Sequence, residues 1–324
     1  MSPLRVMVIP GLTLPHIDEA DLARIREAGG DGCEVVVCKH AEAPEHAADV
    51  DVILGLVPPK LLASAPRLKW AQSISSGVDS FMYPEFINSP VVLTSEKGLV
   101  GEHLADHGFG LLLALTRQLA AARDLGADSW SQRGALRREE LELTGAHMGI
   151  IGYGGTGRAM ARRAAAFGMQ VRAIDCDPVP ADAALAQVEP SAALDDLLAW
   201  SDVLAVCAPL TDETRGLLNH VAFAQLKPGA FLINVTRGEI MDEADLVAAL
   251  QSGRLRGAGL DVAPREPLPE DSELWRLPNV IMTPHTAGAS QYRAQRNLAR
   301  FVRNLAHFAR GEPLEGVIDK LRGF

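Results

Sequence analysis

The sequence predicts an α/β protein built from two doubly wound parallel sheets. Three observations carry this. Short β-branched runs alternate with helical stretches, the alternation comes in two separate series, and the second series opens on a glycine-rich turn between a strand and a helix. At 324 residues the chain is also longer than one hydrophobic core usually supports, so two domains are expected.

In the first series LRVMVI (4–9), CEVVVC (33–38), VDVILGL (50–56) and LKWAQSI (68–74) read as strands, with IDEADLARIREAG (17–29) as an intervening helix. From Gly101 to about Arg123 the pattern becomes one long apolar helix, followed by the polar stretch DSWSQRGALRREELEL, which leads up to Gly145. HMGIIG, MQVRAID, SDVLAVCAP, AFLINV, GAGLDV and NVIMTP form the second series, and a helical segment from about Gly288 closes the chain. No fixed-period repeat is visible, which excludes a solenoid.

Bulk properties exclude several partners. Hydrophobic residues at 48% and charged residues at 22% describe an ordinary globular chain. A net charge of −10 repels polyanions, so no nucleic-acid partner is expected. Apolar runs fall short of a membrane span, and MSPLRVMVIP carries no signal-peptide core, so neither membrane nor export is expected. Cys33, Cys38, Cys176 and Cys207 form no CxxC pair, which argues against a disulfide framework or zinc knuckle and fits a reducing cytoplasm.

A glycine-rich turn alone also fits an ordinary βα connection, so its context matters. The buried-strand pattern HMGII leads at once into Gly152-x-Gly154-x-x-Gly157 and then into the helix former RAMARRAAAF. A second strand ends at Asp175, 18 positions beyond Gly157. In a dinucleotide site Gly152 permits the tight turn, Gly154 admits a pyrophosphate, and Gly157 lets the helix pack on the strand. The helix N-terminus offers N–H groups to phosphate. Asp175 would accept hydrogen bonds from the adenosine ribose. A 2′-phosphate would instead meet Asp175 and Asp177, with no arginine in DCDP, so NAD is favoured over NADP.

Three later segments place polar residues at strand ends, where open α/β sheets bind ligands. Arg237 follows AFLINV, Asp261 and Glu266 lie in GAGLDVAPREPLP, and His285 follows NVIMTP. Hydride transfer to a 2-keto acid needs a cation for the carboxylate and carbonyl, a proton donor, and a group that tunes the donor; arginine, histidine and glutamate meet those needs. Taken singly, TRG also reads as a helix-start turn, LDVAPREP as a solvent-facing loop and TPH as a capped strand end. His103 and His107 have metal-like spacing, but no HExxH pattern or further ligands accompany them, so no metal is expected.

Together with SSGVD (75–79), GEHLADHGFGLLLALTR (101–117) and APLTDETRGLL (208–218), these segments resemble the D-isomer-specific 2-hydroxyacid dehydrogenase family. The resemblance implies a Rossmann cofactor domain (101–287) inserted into a flavodoxin-like substrate domain (1–100 and 288–324), with substrate held in the cleft between them. Arg237 would bind and polarise the substrate, His285 would be the acid/base, and Glu266 would stabilise its imidazolium. Backbone N–H groups around Ser76, Gly77 and Val78 would hold the carboxylate. Asp261 would meet the nicotinamide carboxamide, with Val235, Thr236, His285 and Gly288 alongside. Gly155 and Thr156 would face the pyrophosphate, and Pro209 and Thr214 the adenosine half. A homodimer is implied, built on the long helix and the polar stretch after it, where Trp130 either anchors the interface or reaches the partner subunit.

The resemblance implies an NAD-dependent enzyme interconverting small 2-keto and D-2-hydroxy acids, such as a glyoxylate/hydroxypyruvate reductase. Phosphoglycerate or phosphite dehydrogenases and an NAD-sensing corepressor are its alternatives. Two departures stand out: Gly155-Thr156 replaces a common arginine–aliphatic pair, and Glu96-Lys97 occupies a loop usually built from smaller residues.

Overall fold

A computed structural model describes residues 3–324, which divide into two compact units. One runs to Val100 and resumes at Ala289–Phe324; the other is Gly101–Gly288.

The first unit is a five-stranded parallel sheet of β1 (Arg5–Val8), β2 (Glu34–Val37), β3 (Val52–Leu54), β4 (Trp70–Gln72) and β5 (Val92–Thr94). Its order, β2-β1-β3-β4-β5, is the flavodoxin order. The strand β5 is absent from the sequence reading because it is three residues long and directly follows a turn. On one face the C-terminal helix Arg293–Arg310 packs Leu298, Phe301 and Leu305 against Val6, Val8, Val52 and Leu54. Phe301 stacks on Trp70 with ring centroids 5.1 Å apart. The helix begins at Arg293, five residues beyond the start expected near Gly288, because the chain turns at Ser290–Tyr292.

In the second unit seven parallel strands are ordered β12-β11-β10-β9-β6-β7-β8. They are β6 (His147–Ile151), β7 (Gln170–Asp175), β8 (Glu189–Pro190), β9 (Val203–Val206), β10 (Ala230–Asn234), β11 (Leu255–Leu260) and β12 (Val280–Met282). Strand order reverses between β6 and β9, the topological switch point at which such sheets bind ligands. The sheet is nearly all apolar because helices cover both faces, as a parallel sheet requires.

The expected continuous helix from Gly101 to Arg123 is two helices, Gly101–Thr116 and Leu119–Leu125, broken at Gln118, whose φ of 53° is left-handed. Thr116 helps end the first: its hydroxyl bonds back to the Leu112 carbonyl while its own carbonyl accepts from the Leu141 N–H. The polar stretch after it contains a short helix, Arg133–Glu139. No helix among the described residues is long and apolar enough to cross a membrane.

Truncating Phe301 to Ala is expected to lower the unfolding free energy by about 3–5 kcal/mol through lost burial and the cavity left under Trp70. Chemical denaturation checks this, and a change below about 1 kcal/mol would show that the contact is dispensable.

Candidate active site

The glycine loop leaves β6 at Ile151. Gly152 has φ +90°, where an L side chain is strained, and a Cβ there would press on the Ala208 backbone. Gly157 lies so close to the Gly152 carbonyl that any side chain would separate helix Gly155–Ala166 from the strand. A Cβ on Gly154, at the helix N-cap, would meet only open space. This is the space a pyrophosphate would need, and the first-turn N–H groups of Gly155, Thr156 and Gly157 flank it.

Asp175 ends β7, where its carboxylate accepts from the Tyr153 N–H at 2.7 Å and the Asp177 N–H at 3.0 Å. Tyr153 is wholly buried; its hydroxyl donates to Asp182, and burial together with that carboxylate pushes the phenol up to about 12. Arg158, one residue beyond the last fingerprint glycine, also pairs with Asp182, at 2.6 Å. The guanidinium next to the fingerprint in the chain is therefore already engaged by an acid. After β9, Thr214 donates to the Pro209 carbonyl at 2.8 Å and accepts from the Thr211 N–H, closing a compact turn.

Beyond β10 the buried Asn234 shapes the next turn. Its amide donates to the Arg237 carbonyl and its oxygen accepts from the N–H and hydroxyl of Thr236. Val235 is buried beneath this turn, and the Arg237 guanidinium donates to the Thr236 carbonyl at 2.7 Å. A Cβ on Gly238 would collide with the Ala263 carbonyl, so glycine here lets the arginine turn lie directly on the loop after β11.

That loop carries Glu266. One of its carboxylate oxygens accepts from the Ala263 N–H at 3.1 Å, and the other lies 2.7 Å from Nδ1 of His285, which follows β12. An ionised carboxylate only accepts, so Nδ1 is the donor and Nε2 faces away from the pair. His285 has φ 53°, and its N–H bonds to the carbonyls of Asp261 and Thr283. Asp261, with no exposed side-chain surface, accepts from the Thr283 hydroxyl at 2.6 Å, the Thr286 N–H at 2.9 Å and the Ala287 N–H at 2.8 Å. Its partners in this structure are thus the turn that carries His285 and leads to Gly288. His107 joins from helix Gly101–Thr116, its Nε2 2.8 Å from the Thr283 hydroxyl. The sequence reading weighed His107 only as a metal ligand; this polar chain to Asp261 has no sequence signal beyond the residue types.

Since β10, β11 and β12 are adjacent, Arg237, Glu266 and His285 emerge at neighbouring strand ends on one sheet edge. Within the first unit, Ser76, Gly77 and Val78 follow β4. Among the described residues no chain acceptor meets their three N–H groups, whereas the Ser75 hydroxyl donates to the Gly77 carbonyl at 2.7 Å.

A dinucleotide-type turn and a hydrogen-bonded His–Glu pair lie at strand ends of one parallel sheet, an arrangement that suits a nucleotide-dependent oxidoreductase. The sequence profile described as "D-isomer specific 2-hydroxyacid dehydrogenase, NAD binding domain" matches residues 109–287. A glyoxylate reductase of Thermococcus litoralis is 32% identical over 311 residues, 89% of this chain and 91% of that protein. The D-3-phosphoglycerate dehydrogenase of Mycobacterium leprae is 38% identical over 73% of this chain but only 44% of its own length. The crystal structure of the NADPH-dependent glyoxylate/hydroxypyruvate reductase of Sinorhizobium meliloti, in complex with NADP and sulfate, is similar at TM-score 0.81 and 30% identity, covering 99% of this chain and 100% of that one. The chain belongs to the D-isomer specific 2-hydroxyacid dehydrogenase family.

Replacing Asp261 with Ala strands three donors beneath the His285 turn. The expected loss is about 2–4 kcal/mol in unfolding free energy, measured by denaturant titration. Unaltered stability would mean that the turn is held by other contacts.

Proposed function

We propose that this protein is an NADH-preferring reductase of small 2-keto acids such as glyoxylate or hydroxypyruvate, acting reversibly on the D-2-hydroxy acid. The observation that carries the proposal is the 2.7 Å contact between His285 Nδ1 and Glu266, at strand ends next to Arg237. The names of the similar reductases support the substrate class.

The residues fit a nicotinamide dinucleotide: Gly154 leaves room for a pyrophosphate, Gly155 and Thr156 offer N–H groups, and Asp175 would accept from the adenosine ribose. Pro209 and Thr214 would hold the adenosine half, and Val235, Thr236 and Gly288 the nicotinamide. What such a cofactor supplies is a hydride for the keto carbon. In the first unit the N–H groups of Ser76, Gly77 and Val78 would receive a substrate carboxylate; in the second, Arg237 would pair with the substrate anion and draw electron density toward its keto oxygen. His285 donates the proton on Nε2 to that oxygen as it becomes an alcohol, and takes it back in the reverse direction. Glu266 accepts from Nδ1 throughout, so the ring keeps one orientation in both protonation states. Asp261, through Thr286 and Ala287, positions His285.

NAD preference follows from charge. A 2′-phosphate at the end of β7 would meet Asp175 and Asp177, while Arg158 is held by Asp182. The protein is further proposed to act as a homodimer through the segment Leu119–Glu139, where Leu119 and Trp130 are 56% and 80% exposed.

With a panel of 2-keto acids, the wild-type protein is expected to oxidise NADH at least about tenfold more efficiently than NADPH, and Asp175→Ala to narrow that ratio. A preference for NADPH would contradict the cofactor assignment. His285→Ala is expected to lower kcat by roughly 10²–10⁴-fold with NADH binding retained. Undiminished turnover would remove His285 from proton transfer.

A further inference from the structure

The amide-bearing turn after β4 is not held by its own strand alone. Three of its carbonyls have an assigned donor: Asn297 reaches the Ser73 carbonyl at 3.4 Å, the Glu96 N–H reaches that of Ser75 at 3.3 Å, and the Ser75 hydroxyl donates to that of Gly77. The Ser73 hydroxyl lies 2.9 Å from that of Ser75 and accepts the Ser75 N–H. With those three carbonyls bonded within the unit, the N–H groups of Ser76, Gly77 and Val78 are left for a ligand. That pattern makes an anion-holding concavity.

Two of those donors, Asn297 and Glu96, belong to one buried charge cluster. Glu96, just past β5, is 1% exposed. Arg293 grips its carboxylate with Nε at 2.9 Å and Nη2 at 2.5 Å, and Asn297 beside it also favours the ionised form. Arg300 secures the flanks by donating to the Ser95 and Lys97 carbonyls at 3.2 and 2.6 Å. Arg293, Asn297, Arg300 and Asn304 are spaced 4, 3 and 4 residues apart, one stripe of the helix Arg293–Arg310 beside its apolar Leu298–Phe301–Leu305 stripe. A carboxylate this deep is costly unless paired, and burial does push the Glu96 carboxyl up against the pull of Arg293. A well-packed apolar side chain would fill the position without that cost, so the pair is an expensive way merely to close a loop.

We propose that the Glu96–Arg293 ion pair, with Asn297, holds the Ser76–Val78 amides in the shape that receives the substrate's carboxylate, making Glu96 and Arg293 positioning residues for this enzyme's 2-keto acid. The inference rests on the reading above that these amides meet the substrate. It also gives a function to the acidic loop residue that departs from the small residues usual in the family. Its described hydrogen bonds join the end of β5 to the helix Arg293–Arg310 within the first unit. Its loss should weaken binding of the substrate anion while proton and hydride transfer from bound substrate continue.

The test uses full-length Glu96→Gln and Arg293→Lys, the first preserving volume and the second preserving charge. Three quantities are read: KM and kcat for glyoxylate, inhibition by oxamate (an unreactive carboxylate analogue), and the dissociation constant of NADH from its fluorescence. Hydrogen exchange of the peptide spanning residues 73–79 is followed with and without oxamate. The expected result is a rise of about tenfold or more in both KM and the oxamate inhibition constant, with kcat within about threefold and NADH affinity unchanged. Exchange in 73–79 should accelerate selectively, and its protection by oxamate should fall. Folded variants with wild-type KM and wild-type exchange in 73–79 would overturn the proposal, as would a loss confined to kcat. If Glu96→Gln does not fold, Arg293→Lys decides by the same criteria. Wild-type protein whose 73–79 amides gain no protection from oxamate would instead defeat the underlying assignment of the amides to the substrate, a separate and recognisable failure.

Discussion

The Asp261 carboxylate accepts three hydrogen bonds from the Thr283–Ala287 turn, and the placement of His285 depends on them. A carboxylate without solvent contact is stable only when its oxygens are fully used. Here the donors are a hydroxyl and two N–H groups that flank His285 in the chain. With both sides of the residue fixed, and its own N–H bonded to two carbonyls, His285 tolerates a left-handed backbone that costs roughly 1–2 kcal/mol. That conformation directs the imidazole toward Glu266.

The same logic recurs in each unit. Polar side chains at or just past strand ends spend their hydrogen-bonding capacity on neighbouring loops. Asn234 shapes the Arg237 turn, Asp175 ties the glycine loop to the start of the next connection, and Glu96 with Asn297 braces the serine-rich turn. The strands themselves are mostly apolar. The candidate site residues lie at their C-terminal ends, where a parallel sheet binds ligands.

Much of this was legible in the sequence. Both alternating series, the glycine fingerprint with its trailing Asp175, and the strand-end positions of Arg237, Glu266 and His285 rest on local patterns, because strand, turn and helix signals span only a few residues. What escaped the sequence has non-local causes. The break at Gln118 interrupts a run whose propensity is helical throughout, with the Leu141 N–H bonded to the Thr116 carbonyl from further along the chain. The strand β5 is defined by pairing with β4, not by its three residues. Which loop donates to Asp261 is likewise set by contacts distant in the chain. The spacing of Arg293, Asn297, Arg300 and Asn304 was visible all along, but a polar stripe on a terminal helix reads as a solvated face until Glu96 is found beneath it.

The central claim is that Glu266 fixes the tautomer of His285, leaving Nε2 to carry the mobile proton. Two-bond nitrogen–proton correlation NMR of the histidine-labelled enzyme, with His285 assigned by loss of its signal in His285→Asn, reads this directly. In the neutral ring the account predicts a protonated Nδ1 and a pyridine-like Nε2. A neutral imidazole protonated on Nε2 would contradict it, because the ring could then neither donate to Glu266 nor accept a proton where the chemistry requires.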